Sequence, residues 1–314
     1  MANHPIVSIV VPCLNRARFL APTIDSVLMQ NYPNLECIVI DGGSTDGTLE
    51  ILRGYGPKIT WISEPDDGHA DAINKGWKMS KGEILAWLNA DDCYVVPDAV
   101  GKAVEYLQFH PEVDVVYGDH DWISEEGKVI SDVIQHRPWD LVHAVKYCDH
   151  IITQPASFIR RSMLEKVNWL DPEFRNGKDH ELWLRVGLTG TMRYAPMLLA
   201  HERRTSGLTQ QVSVAEALVR LTQKFFETPN LPPPFDSKPL RKRAMSNAYL
   251  TGGEYAWRGG HLKTARQYYF NSIKMDPMNL PYLLTRGSAT VIATFVPEGL
   301  KRIIRRMLKI TRTT

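Results

Sequence analysis

Cysteine is scarce in this chain of 314 residues: there are four (Cys13, Cys37, Cys93 and Cys148), scattered and with no C-x-x-C pair. That excludes a disulfide framework and a cysteine zinc site, and their mostly apolar surroundings read as buried thiols of a reducing compartment. Long apolar runs are missing too. None approaches the roughly 18 residues of a membrane span, and no basic-then-apolar leader opens the sequence. The expectation is a protein made and kept in the cytoplasm. Neither G-x-G-x-x-G nor G-x-x-x-x-G-K-[ST] occurs, so a dinucleotide fingerprint and a P-loop are both absent. A general basic excess is absent as well. Net charge is +2, yet residues 300–312 alone hold Lys301, Arg302, Arg305, Arg306, Lys309 and Arg312 with no acid, leaving the rest net acidic. No nucleic-acid partner is expected.

What is present suits a globular protein with ample length for a core: 44% hydrophobic and 23% charged residues. The stretch Ile84-Leu85-Ala86-Trp87-Leu88 is too short for a helix and ends in Asn89-Ala90-Asp91-Asp92. A fully buried parallel strand carrying a polar site at its carboxyl end reads this way. Adjacent, partly buried carboxylates repel unless a cation neutralises them, and a hard ion such as Mg2+ or Mn2+ shared with a diphosphate would do so. A solvated Asp-Asp turn is the plainer alternative. Three further β-branched runs, Ile6–Val11, Leu35–Ile40 and Ile59–Ile62, precede it, with helical patterns around 20–30, 45–53 and 69–79 between them. This alternation predicts an α/β fold, a parallel sheet covered on both faces. Every strand ends in polar residues: Asn15, Asp41, the Glu64–Asp67 loop, then Asp91-Asp92. Ligands bind beyond the carboxyl ends of such sheets.

Beyond these strands, Asp71 and Lys75 stand four apart on a predicted helix bordering the cleft, either as a surface pair or turned to the cleft. Residues 97–109 read as a helix, 113–119 as a strand and 123–130 as a hairpin, with His120, Asp121 and Trp122 placed near an acceptor by position. In Lys178-Asp179-His180-Glu181-Leu182-Trp183, Asp179 falls in the first turn of a helix, where the macrodipole favours its ionised form. Glu181 lies some 200° further round. An N-cap aspartate is the plainer reading.

The motifs Val7–Pro12 with Asn15, Ile38–Thr48, Gly68–Gly76 and Gly82–Asp92 together resemble the family 2 glycosyltransferases, in order and spacing, from about residue 6 to 210. The resemblance implies a GT-A fold, Rossmann-like, a mostly parallel sheet flanked by helices. It also implies inverting transfer of a sugar from a nucleotide diphosphate donor, UDP-linked by preference, to a glycan or lipid-linked acceptor in polysaccharide assembly. It further implies that Pro12 and Asn15 line the nucleotide pocket, that Asp41 contacts the base, and that the Asp91/Asp92 corner holds ribose and metal. Asn89 departs from the usual D-x-D and brings no charge, so Mn2+ or Mg2+ is expected on Asp91 with Asp92 assisting. Asp71, Lys75 and Asn89 join the donor set. Asp179 precedes a Leu-Trp-Leu-Arg run as the family's general base does, and His201–Thr209 resembles its diphosphate lid, with Arg203 the expected clasp. A sugar nucleotidyltransferase is an alternative, but Pro12–Arg16 has no glycine for its phosphate loop. An inactive nucleotide-binding scaffold is another, hinted at by Asn89.

The expected organisation is a catalytic domain over 1–210, a helical extension over 211–285 and a basic amphipathic tail over 286–314. The Pro232-Pro233-Pro234 break precedes a hairpin resembling half a tetratricopeptide repeat. In the tail, Leu300, Ile303, Ile304, Met307 and Leu308 share one helical face opposite the cations. That pattern suits an anionic membrane surface, hence a peripheral position on the inner face of the cell membrane, or equally docking on its own domain.

Overall fold

The computed structural model describes residues 4–205 and 211–279. The lid residues 206–209 and the amphipathic tail lie outside them. Eight strands, β1 (Val7–Cys13), β2 (Leu35–Asp41), β3 (Thr60–Ser63), β4 (Ile84–Trp87), β5 (Cys93–Tyr94), β6 (Val115–Ile123), β7 (Ser157–Arg160) and β8 (Met192–Arg203), form one sheet in the order β3-β2-β1-β4-β7-β6-β8-β5. The first four in that order run parallel. Strand β7 is antiparallel to both its neighbours, β8 is parallel to β6, and β5 is antiparallel to β8. The helices are α1 (Ala17–Leu28), α2 (Thr48–Tyr55), α3 (His69–Met79), α4 (Ala99–Phe109), α5 (Leu141–Tyr147), α6 (Arg161–Lys166), α7 (Lys178–Thr189), α8 (Gln211–Phe225), α9 (Lys238–Arg258) and α10 (Leu262–Met275).

Successive strand residues point to opposite faces, and β1 shows both faces covered. Ile9 and Val11 join a core with Leu20, Ile24 and Val39, whereas Val10 joins another with Ile40, Ile73 and Trp77. Trp87 at the end of β4 stacks on Trp183 of α7, centroids 6.1 Å apart, and meets Trp77 of α3 edge-on at 5.2 Å. All three indoles are buried. Trp139 and Trp169, partly buried, pack against the same core.

The expected hairpin at 123–130 is a looser excursion. β6 ends at Ile123, and the returning chain makes isolated bridges, Ile123 to Val129 and His120 to Ile134. Within β6, the register against β8 shifts between Tyr117 and Asp119. Gly118 sits at that shift, where an added Cβ would stand 2.3 Å from the Met197 carbonyl oxygen. Backbone cannot yield as a side-chain tip can. Gly118→Val is expected to cost about 3 kcal/mol, the upper range for overpacking, read as a lower urea midpoint at unchanged slope.

The described residues fall into two compact units. The first runs through Ala144 and resumes from Asp149 to the end of β8; the second joins Val145–Cys148 to the residues after 210. In the second, α9 and α10 form a hairpin around Gly259-Gly260, with Ala215, Leu250, Ala265 and Tyr269 in its core. Among the described residues, no helix is long and apolar enough to cross a membrane.

Candidate active site

The carboxyl ends of β1, β2 and β3 carry loops that are wired to one another. Asn15 takes a left-handed conformation (φ 52°), which asparagine tolerates better than most residues. Its N–H donates to Ser44 Oγ at 2.7 Å, and its Oδ1 accepts from the Thr45 N–H at 2.8 Å. Helix α1 has no side-chain cap of its own; Asp46 of the second loop accepts the Ala17 N–H at 3.0 Å instead. Asp41 is fully buried. It accepts from the N–H groups of Gly43 and Ser44, from Ser44 Oγ, and from Ser63 Oγ at 2.7 Å. Three of these four donors fall on Oδ2 and one on Oδ1, so most of the carboxylate's roughly four acceptor sites hold its own loop and strand β3.

After β4 the chain turns sharply, the Asp92 N–H donating to the Asn89 carbonyl at 3.0 Å. The turn sends the two carboxylates different ways. Asp92 is 2% exposed and accepts from Asn89 Nδ2 and the Arg203 N–H, both at 2.9 Å. Asp91 faces a cavity of about 440 Å³, whose wall also includes Pro12, Arg16, Asp66, His69, Asn89 and Lys178. Desolvation raises the Asp91 carboxyl above the usual carboxylate range, against the pull of Arg16 and Arg203. Desolvation and then Asp91 itself push Asp92 well above it. Burial, then the Lys178 ammonium, hold the His69 imidazole down at about 3, so it is neutral near pH 7, and its buried Nδ1 has no hydrogen-bond partner.

Arg203, expected to clasp a diphosphate, turns inward. It is 8% exposed; its Nε donates to the Asp91 carbonyl at 2.8 Å, and one terminal nitrogen donates to the carbonyls of Ser124 (2.8 Å) and Glu125 (3.0 Å). Its fork buttresses the carboxylate corner from behind. Arg204 is the exposed neighbour, paired with Glu202 and lying 3.9 Å over the Trp122 ring. Asp71 and Lys75 form the plainer surface pair at 3.1 Å, with Lys75 also on Glu64. Neither lines the cavity, nor do Asn15, Asp41, Asp92 and Arg203. Of the expected acceptor residues, His120 and Asp121 are buried: His120 contacts His136 at 3.0 Å and Glu202 at 3.3 Å, while Asp121 pairs with His201.

At the start of α7, Gly177 is left-handed (φ 69°) and turns the chain so that Lys178 reaches the cavity wall. Asp179 follows, and its charge is felt at His69. Its Oδ2 lies 2.9 Å from His150 Nε2. Burial alone would raise this carboxyl, but His150, Lys178 and the His180 N–H hold it well below the usual range. Glu181 turns to the interior, 4% exposed, and binds Arg185 with both oxygens at 2.6 Å. Arg16, His69 and His150 were not singled out by sequence. The only signal was their place after the first strand, at the head of the third helix, and in an unremarkable polar stretch.

A sheet of this order, with a carboxylate, an amide and two cations around a cavity at its strand ends, defines a glycosyltransferase of GT-A architecture. Residues 8–167 match the family described as glycosyl transferase family 2, and the chain belongs to that family. It is 29% identical over 203 residues to an uncharacterized glycosyltransferase of Rickettsia typhi, covering 63% of this chain and 62% of that protein. It thus spans less than two thirds of that relative. The fold is similar to that of S. aureus TarS 1-349, solved in complex with UDP-GlcNAc (TM-score 0.64, 15% identity, 86% of this chain and 81% of that one). It is also similar to the mannosyltransferase PcManGT from Pyrobaculum calidifontis, solved with GDP-Man and Mn2+ (TM-score 0.61, 21% identity, 93% and 86%).

Proposed function

We propose that the catalytic domain, residues 1–210, transfers a sugar with inversion from a nucleoside diphosphate donor to a hydroxyl of a glycan or lipid-linked acceptor, with residues 211–285 as a helical extension. The observation that carries this is one cavity walled by both Asp91, after β4, and Lys178, beside Asp179 at the head of α7. Its size is in the usual range for a small-molecule site. A base and a leaving-group site must face each other across the sugar for attack opposite the departing diphosphate.

The residues present fit a divalent cation. Asp91 is a desolvated carboxylate facing the cavity and, among the described residues, has no ion-pair partner, and Mg2+ or Mn2+ commonly takes one or two carboxylates plus substrate phosphate oxygens. Among the described residues no cluster of three His, Cys, Asp or Glu side chains is arranged for a metal by itself, so the donor's phosphates would complete the shell. Asp91 would hold the ion, and Asp92 would fix the turn that aims it. The ion would supply charge stabilisation to the leaving diphosphate. Arg16 and Lys178 add fixed positive charge on the same wall. Asp179 takes the proton of the attacking hydroxyl. UDP is the first candidate for the nucleotide, GDP the second, in line with what TarS and PcManGT were solved with.

Thermal unfolding in the presence of UDP, GDP or dTDP, with and without Mn2+, tests this reading. One nucleotide is expected to raise the midpoint, and only with the metal. At 100 times the Kd the gain is about 2.7 kcal/mol. Asp91→Asn should erase the metal dependence. No shift with any of the three nucleotides would support a scaffold instead.

A further inference from the structure

His150 touches the side chain on which the reaction turns. Its Nε2 meets Asp179 Oδ2 at 2.9 Å, and its ring stacks on His180, centroids 5.4 Å apart and 8° from parallel. The imidazole is 46% exposed and the carboxylate 21%. One member of the contact is thus sheltered and the other open to water. Resting on the assignment of Asp179 as base, we propose that the proton taken from the acceptor hydroxyl comes to rest on His150, so that the base is the Asp179–His150 pair.

The chemistry follows from which partner keeps an added proton. The pair can hold it as carboxylic acid beside imidazole, or as carboxylate beside imidazolium. Desolvation by the surrounding protein would lower the partly exposed His150 imidazole, but Asp179 in direct contact, then Glu202 of β8 and Asp149 beside it in the chain, raise it above its ordinary value. The two neighbouring imidazoles, His180 and His136, add no opposing charge near neutral pH. Burial holds His180 down at about 3, and burial with His120 holds His136 at about 4. Glu202 remains an anion: burial would raise it, but His120 and Arg204 keep it low. Asp179 meanwhile is held far below the carboxylate range. Carboxylate with imidazolium is therefore the stable form.

In the step, the acceptor O–H bond breaks and the oxygen's electron pair forms the bond to the anomeric carbon. The bond from that carbon to the diphosphate oxygen breaks, and its pair leaves with the nucleoside diphosphate. With the neutral ring carrying its own proton on Nδ1, the lone pair of His150 Nε2 takes the proton that passes by way of Asp179, and the exposed imidazolium then returns one proton to water. The sign of the pH effect follows. A histidine whose value is raised is charged at low pH and neutral only above that value. The pair accepts a proton only with His150 neutral, so activity falls as pH drops through a value above 6.5.

The experiment combines imidazole 15N NMR titration of the full chain with the pH dependence of UDP-GlcNAc and GDP-mannose hydrolysis, water serving as acceptor. His150 is expected to charge above pH 6.5, and near or below 6.5 in Asp179→Asn. The wild-type rate is expected to fall at the pH where His150 charges. His150→Gln keeps a donor to Asp179 but cannot store the proton. Its plateau is expected about tenfold lower, with its acid limb displaced into the carboxylate range. If neither sugar nucleotide is hydrolysed, the titration alone decides. A His150 that charges only below 6.5, or an unmoved acid limb in His150→Gln, overturns the proposal. Hydrolysis surviving Asp179→Asn overturns the base assignment itself, which is a separate result.

Discussion

Asp179→Asn is expected to lower the turnover of sugar transfer by about 10²- to 10⁴-fold, the range a positioned general base supplies, while leaving nucleotide affinity within a factor of two or so. The substitution keeps shape and a hydrogen-bonding group for His150 but removes the proton acceptor. It also leaves Trp183 in its pocket, so α7 keeps its place. Calorimetry with the stabilising nucleotide checks the second half of the expectation, and steady-state hydrolysis of the donor checks the first. A parallel loss in affinity and turnover would mean that Asp179 holds the donor and does not take the proton.

Arg203→Ala is expected to be the most damaging substitution for stability outside the hydrophobic core, at about 3 kcal/mol. Truncating a buried, fully partnered cation leaves its acceptors unpaired, and each buried orphan costs roughly 1–3 kcal/mol. Here the carbonyls of Asp91 and Glu125 lose the guanidinium donor together, and that of Ser124 keeps only the Gly127 N–H. Arg203 also lowers the Asp91 carboxyl, so its loss should push Asp91 further toward its neutral form and weaken any metal-dependent nucleotide stabilisation. Arg203→Lys offers a charge without the fork and is expected to recover only part of either. Denaturant unfolding measures the first effect, and the Mn2+ dependence of thermal stabilisation measures the second. If the variant keeps wild-type stability but loses nucleotide binding, the side chain acts on the ligand and not on the corner.

The first four strands were legible because buried parallel strands are written as short apolar runs, and β2 and β4 begin where their runs begin. The edge of the sheet at which the cavity lies was legible for the same reason: each run stops at a polar residue. β7 and β8 were not. The first is four residues long, and the second mixes buried and exposed positions with no two-residue period. Site residues fared by the distance over which their partners lie. Asp91 could be placed from its own strand. Arg203 could not, because its guanidinium ends on carbonyls 112 and 79 positions back, and nothing local distinguishes a phosphate clasp from a buttress. At Asp41 the sequence shows a strand-ending carboxylate and hides the four donors folded around it. His150 had no spacing to betray it; only the fold brings it against α7.

The stacked indoles of β4 and α7 set a dimension. Asp91 stands four residues beyond Trp87, and Asp179 stands one helical turn before Trp183. The proposed metal carboxylate and proposed base would therefore be mounted like the jaws of a calliper whose spine is a pair of packed aromatic rings. Loops around the opening can change length and composition, and so change which sugar is admitted, without altering the span between the jaws.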